Sequence, residues 1–152
     1  MKKLFNESLK VSIPDEFVEI SEEEIKSVYT GQYIPQYVFQ ESELNSVISF
    51  MMTDHELLEK DMEACLEEKA KVYARIVPGF EYRGLRKKEV NGKLFGAMLY
   101  KSYAIDRDLF NILFITSFNK KQLVINAHCT YDEFPEKKST FMDIIESIIV
   151  DR

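Results

Sequence analysis

The sequence predicts an α+β protein, a three-layer α/β/α sandwich around a largely antiparallel sheet. Three observations lead there. Residues 80–130 divide into four apolar runs joined by short turns, and connections that short link antiparallel neighbours, because parallel ones need long crossovers. The inner runs, 93–103 and 109–118, are apolar at odd and even positions alike. Successive side chains alternate across a sheet, so both faces need a cover. Amphipathic helices stand before and after this meander, over 54–76 and 136–150, one available to each face.

The elements follow in order. A first strand is expected over residues 7–13, closed by Pro14, which suits a strand end. Ser21, Glu22, Glu23 and Glu24 form a capping box, with acids placed well for the helix dipole. Ile25 and Val28 give this short helix an apolar edge, and Gly31 ends it. Residues 33–40 and 45–52 read as two strands. Thr53, Asp54, His55 and Glu56 read as a second capping box opening the longest helix. Its stripe is Leu58, Met62, Cys65, Leu66, Lys69, Tyr73 and Ile76, spaced three and four apart. Lys69 on that side is read as a snorkelling edge residue. Val77, Pro78 and Gly79 break the helix. Asn91-Gly92 between 80–90 and 93–103 is a strong hairpin signal. Turns are expected at Asp106, Arg107 and Asp108 and at Asn119, Lys120 and Lys121. The closing helix carries Phe141, Ile144, Ile145, Ile148 and Ile149 on its apolar side.

At 152 residues, 45% of them hydrophobic and 30% charged, the chain fits a single globular domain spanning 1–152. A formal charge of −6 argues against nucleic acid and against a polybasic membrane anchor. Met1, Lys2, Lys3, Leu4 and Phe5 open like a signal peptide, but Asn6, Glu7 and Ser8 interrupt the apolar region. The Asn6 sequon is then a chance match. No run approaches the roughly 20 apolar residues of a membrane helix. Cys65 and Cys129 lie far apart in no metal-like spacing and read as buried thiols of a reducing compartment, the cytoplasm.

Chemistry-bearing clusters each have a structural reading. Asp54, His55 and Glu56 are metal and acid–base types, but adjacent helical residues fan out by about 100°, and a helix start favours acids anyway. His128 and Cys129 invite a nucleophile–base reading, yet neighbouring strand residues face opposite ways. No glycine-rich phosphate loop or nucleophile elbow occurs. No catalytic, cofactor-binding or metal residue is therefore assigned, and an enzyme is not expected. The segment 29–39 stands out, because Tyr29, Tyr33, Ile34, Tyr37 and Phe39 crowd a stretch broken by Gly31 and Pro35. Tyrosines on a loop suit a protein-binding surface; the alternative has Tyr37 and Phe39 packing one sheet face and Val38 the other. Tyr29, Tyr33, Ile34 and Tyr37 are the candidate protein-binding residues.

The element order resembles the PsbP-like fold, and within it the bacterial DcrB-like branch. The likeness spans roughly residues 5 to 150. It rests on the opening strand with its Ile13, Pro14, Asp15 ending, the long helix after the third strand, the Asn91-Gly92 hairpin, and the final helix with Ile144, Ile145, Ile148 and Ile149. The resemblance implies a binding module. Members include an extrinsic subunit of the oxygen-evolving complex, a nuclear-transport factor that binds a small GTPase, and chaperones for secreted effectors. It implies no shared active site. The expected function is a non-enzymatic adaptor or chaperone-like module with a protein partner. Alternatives are a small-molecule-binding protein or hydrolase with a sheet–helix pocket involving His128, and an acidic immunity-type inhibitor. An exposed sheet edge would also permit a homodimer by strand addition.

Overall fold

The computed structural model describes residues 1–29, 31, 33–41 and 46–150. Its elements are β1 (Lys2–Leu4), β2 (Leu9–Val11), β3 (Phe17–Glu19), α1 (Glu22–Val28), β4 (Tyr37–Glu41), β5 (Ser46–Glu56), α2 (Met62–Ile76), β6 (Glu81–Val90), β7 (Lys93–Ala104), β8 (Arg107–Phe118), β9 (Lys121–Thr130), α3 (Phe134–Glu146) and β10 (Ile149–Val150). Seven strands form one antiparallel sheet in the order β3-β4-β5-β9-β8-β7-β6. β1, β2 and β10 form a small second sheet. The three-layer, largely antiparallel arrangement is as the sequence predicts.

The meander follows from its turns. Asn91 and Gly92 hold φ of 47° and 82°, the left-handed pair that a tight hairpin needs. Asn119 and Lys120 do the same between β8 and β9, at 51° and 66°. The Asn91 side chain also reaches across the fold, its Nδ2 donating to the carbonyl of Ile148 at 2.8 Å.

Each sheet face has its own cluster. On one, α3 and the small sheet cover Phe39, Phe50, Phe95, Ile125 and Ala127 with Phe141, Ile144, Leu4 and Leu9. On the other, α2 sets Met62 and Leu66 on Met98, Tyr100, Leu113 and Ile115. Gly96 permits the close approach of α2, since a Cβ there would lie 2.7 Å from Leu66 Cδ1 and 2.9 Å from Met62. Lys137 of α3 donates to Glu41 of β4 at 2.8 Å. Their side chains are only 13% and 11% exposed.

Two helices cannot cover this sheet. Seven strands span about 29 Å at the usual spacing, and a helix with its side chains is about 10–12 Å wide. α2 lies against β6 and β7, while α3 lies against β9. The β5–β9 flank of the α2 face is left open, whereas on the α3 face Phe95, Ala97, Ile112 and Phe114 of β7 and β8 are buried and share a hollow with Met142 and Ile145 of α3.

Several boundaries differ from expectation. The predicted box at Thr53, Asp54, His55 and Glu56 is strand. β9 supplies backbone partners there, with Met52 opposite Leu123 and Glu56 opposite Lys121 across an irregular register. Thr53 Oγ1 donates to the Gln122 carbonyl at 3.0 Å and accepts from the His55 amide at 3.2 Å, so it serves the sheet instead of a helix end. Buried Leu57 ends the strand, its amide bonded to the Lys120 carbonyl and its carbonyl to Ser117 Oγ. The helix starts only at Met62, after a short 3-10 turn over Glu59–Asp61. The strand expected over 7–13 is β2 alone, because Phe5, Asn6 and Glu7 adopt positive φ and fold β1 back onto it. The final helix stops at Glu146, and β10 pairs with β2. β3 was not foreseen; it adds to β4 at the sheet edge. The predicted strand start at Asn45, and Thr30 and Gln32 of the aromatic segment, lie outside the described residues.

Candidate functional site

The open β5–β9 flank of the α2 face forms a groove. Alternation along β5 turns Met51, Thr53 and His55 toward α2, and alternation along β9 does the same for Gln122, Val124, Asn126 and His128. The far wall is one side of α2, namely Cys65, Lys69, Val72, Tyr73 and Ile76. Tyr29, Tyr33 and Pro35 close the remaining side. The groove has an outer chamber of about 670 Å³ and an inner one of about 310 Å³. Tyr33, Met51, Tyr73 and Val124 line both chambers.

The structure divides the four predicted binding residues. Tyr33 is 55% exposed on the groove wall, its hydroxyl 3.5 Å from His55 Nε2 and its ring tilted against that imidazole. Half-buried Tyr29 lines the inner chamber. Ile34 is 37% exposed beside Tyr33. Tyr37 turns to the other sheet face, where its ring packs edge-on against Phe5 and its hydroxyl accepts from the Phe5 amide at 3.1 Å. Phe39 is fully buried on that same face.

Burial disfavours charge along the groove floor. The His128 imidazole is pushed down to about 4 by desolvation, so it is uncharged at neutral pH. Burial raises the Tyr29 and Tyr73 phenols, and takes Tyr100 up to about 12. Lys69 is lowered by burial, with Cys65 opposing that shift. Cys65 is raised by burial despite Lys69, and it accepts from Gln122 Nε2 at 3.3 Å. The groove thus offers uncharged donors and acceptors on an aromatic and thioether surface, with Glu68, Lys69 and His55 nearer its mouth.

His128 and Cys129 lie on opposite faces, His128 in the groove and Cys129 in the α3-face core. Desolvation, with Glu133 nearby, pushes the Cys129 thiol up to about 12, the reverse of what a nucleophile requires. Cys65 and Cys129 are both free thiols. Asp54, His55 and Glu56 do not converge, and among the described residues no group of three or more His, Cys, Asp or Glu could hold a metal ion. Another hollow, about 680 Å³, lies among Tyr103, Asp106, Asp108, Asp132 and Glu133. Its lining is mostly polar, and Arg107, Thr130 and Tyr131 complete it.

Sequence reasoning missed His55 and Lys69 as groove residues. A strand reading of Met51, Thr53 and His55 would have placed all three on one face. No helix among the described residues is long and apolar enough to cross a membrane.

Solved structures share this architecture. PA94, a Pseudomonas aeruginosa protein of unknown function, superposes with a TM-score of 0.64 at 12% identity, covering 95% of this chain and 97% of its own. The cyanobacterial PsbP protein CyanoP of Synechocystis gives 0.62 at 13%, covering 99% and 96%. LpqN, involved in cell envelope biogenesis of Mycobacterium tuberculosis, gives 0.54 at 14%, covering 95% and 83%. No family model matches the chain, and no curated protein matches it in sequence. The fold is PsbP-like.

Proposed function

We propose that this protein is a binding module whose recognition site is the groove between α2 and the β5–β9 flank, and that its occupant is an apolar segment of a protein partner. One observation carries the reading. Tyr33 and Ile76 stand 55% and 66% exposed on opposite walls of the same groove, where an inserted side chain would bury both. Tyrosine supplies large contact area at low entropic cost, and Met51 adds an adaptable floor. The adaptor or chaperone-like role rests on this surface. The free thiols Cys65 and Cys129 suit a reducing compartment, so the cytoplasm is the proposed location.

The test compares capture from source-cell lysate by the wild-type chain and by Tyr33→Ser with Ile76→Ser. A stoichiometric protein retained at high salt by the wild type and lost by the variant, at unchanged melting temperature, is the expected result. A partner lost at high salt from both chains indicates an acidic, immunity-type contact instead. A partner retained equally by both overturns the groove as the site.

A second reading has its own observation. The inner chamber encloses a neutral imidazole beside Tyr29 and Asn126, the kind of convergent polar setting that fixes a small ligand. There His128→Ala abolishes binding of that ligand, whereas Tyr33→Ser with Ile76→Ser leaves much of it.

A further inference from the structure

The α3 face holds a separate cavity of about 330 Å³, between α3 and the strands β6, β7 and β8. Its floor is Phe95, Ala97, Ile112 and Phe114 from β7 and β8, and α3 adds Met142 and Ile145. Val90 and Leu99 extend the apolar surface, Arg86, Lys87 and Lys88 of β6 and Lys138 of α3 complete the lining, and no acid belongs to it. This distribution is unexpected in a chain of net charge −6, because like charges gathered at an apolar hollow repel one another and lose hydration.

Internal pairing accounts for half of it. Lys87 turns its ammonium to the opposite sheet face, where it reaches Glu63 of α2 at 3.2 Å, and Lys88 pairs with Glu146. Arg86 turns its guanidinium back onto the Leu85 carbonyl at 2.8 Å. Among the described residues neither Arg86 nor Lys138 has an ion-pair partner. The cavity therefore combines a deep apolar floor with two unmatched cations, one of them a planar guanidinium suited to a carboxylate. Its volume falls within the roughly 300–1,000 Å³ of small-ligand sites and is too small and too apolar for a folded partner.

We propose that this cavity binds a single-chain fatty carboxylate, with the alkyl chain on the phenylalanine floor and the carboxylate between Arg86 and Lys138. The site is independent of the groove on the opposite face. A phosphate or nucleotide has no use for the floor, and a neutral hydrocarbon has none for the cations.

The test is isothermal titration of the full chain with laurate, dodecyltrimethylammonium and dodecanol, each below its aggregation limit. Laurate is expected to bind, and the other two at least about tenfold more weakly, the worth of one charge-assisted contact. Arg86→Gln with Lys138→Gln is expected to weaken laurate by about tenfold or more without moving the melting temperature. Added salt weakens it in the same direction. Methyl NMR supplies an independent readout, with laurate shifting Ile112, Met142 and Ile145 but not Met51 in the groove. Equal affinity for dodecanol, an unaffected double variant, shifts confined to Met51, or no shift at the solubility limit of laurate would each overturn the proposal.

Discussion

On the α3 face the sheet buries Phe17, Phe39, Phe50, Phe95, Phe110, Phe114 and Phe118 beneath Phe141 and its neighbours, whereas on the α2 face the buried set is Met62, Leu66, Met98, Tyr100, Leu113, Ile115 and Val124 with Leu57. Among the described residues every buried phenylalanine belongs to the first face. Rings such as Phe39 and Phe50, 6.0 Å apart and edge-on, fill space in one arrangement. Methionine and tyrosine fill it adaptably and bring polar atoms along. The same strands therefore carry a dry packing surface on one side and a recessed, hydrogen-bonding surface on the other. Close ring packing is concentrated on the first and adaptable, polar-tipped side chains on the second.

The largest way to break this division is Phe141→Ala. It opens a cavity where α3 meets the sheet and is expected to cost about 3–5 kcal/mol in denaturant unfolding. A loss near 1 kcal/mol would show that the α3 face is not the main source of stability. Next comes pH. The native pKa of His128, about 4, lies below its ordinary 6.5, so above that value both states are neutral and nothing changes. Between 6.5 and about 4 the unfolded chain takes up a proton that the native chain refuses, and stability falls as pH falls. The full effect is on the order of 2–3 kcal/mol, taken low because the residue keeps some exposure, and His128→Asn should flatten that part of the profile. The smallest contrast sets Tyr37→Ser against Tyr33→Ser. Removing Tyr37 deletes an edge-on ring contact and orphans the Phe5 amide, for about 2 kcal/mol. Removing exposed Tyr33 costs about 0.5 kcal/mol or less. Equal losses in thermal unfolding would erase the distinction between core and groove tyrosine.

Much of the scaffold was legible because its signals are local. Asn91-Gly92, the Pro78-Gly79 break and the unbroken apolar runs each have one stereochemical solution, and the structure adopts it. The stretch from Thr53 to Glu56 misled because a threonine followed three residues later by a glutamate suits a helix start as well as a strand. Only the backbone of β9, some 65 residues onward in the chain, decides between them. That single choice removed His55 from view as a groove residue. The short strands β1, β3 and β10 escaped notice for the same reason, since each exists only through its partner. Tyr29 and Tyr33 stood out as a cluster, but which tyrosine faces the groove depends on where β4 begins. The cations Arg86 and Lys138, 52 positions apart, share no sequence pattern and line one cavity only through the fold.

The enclosed ion pair between Glu41 and Lys137 constrains how this sequence can change over time. Replacing one partner strands a charge in a poorly hydrated place, a penalty of about 3–5 kcal/mol, while replacing both with apolar groups of similar volume is close to neutral. The intermediate is the worst of the states, so drift by single substitutions meets a barrier here that the end states do not reveal. Descendants of this chain should keep both residues or show neither, a correlated pattern imposed by dielectric alone and independent of whatever the protein binds.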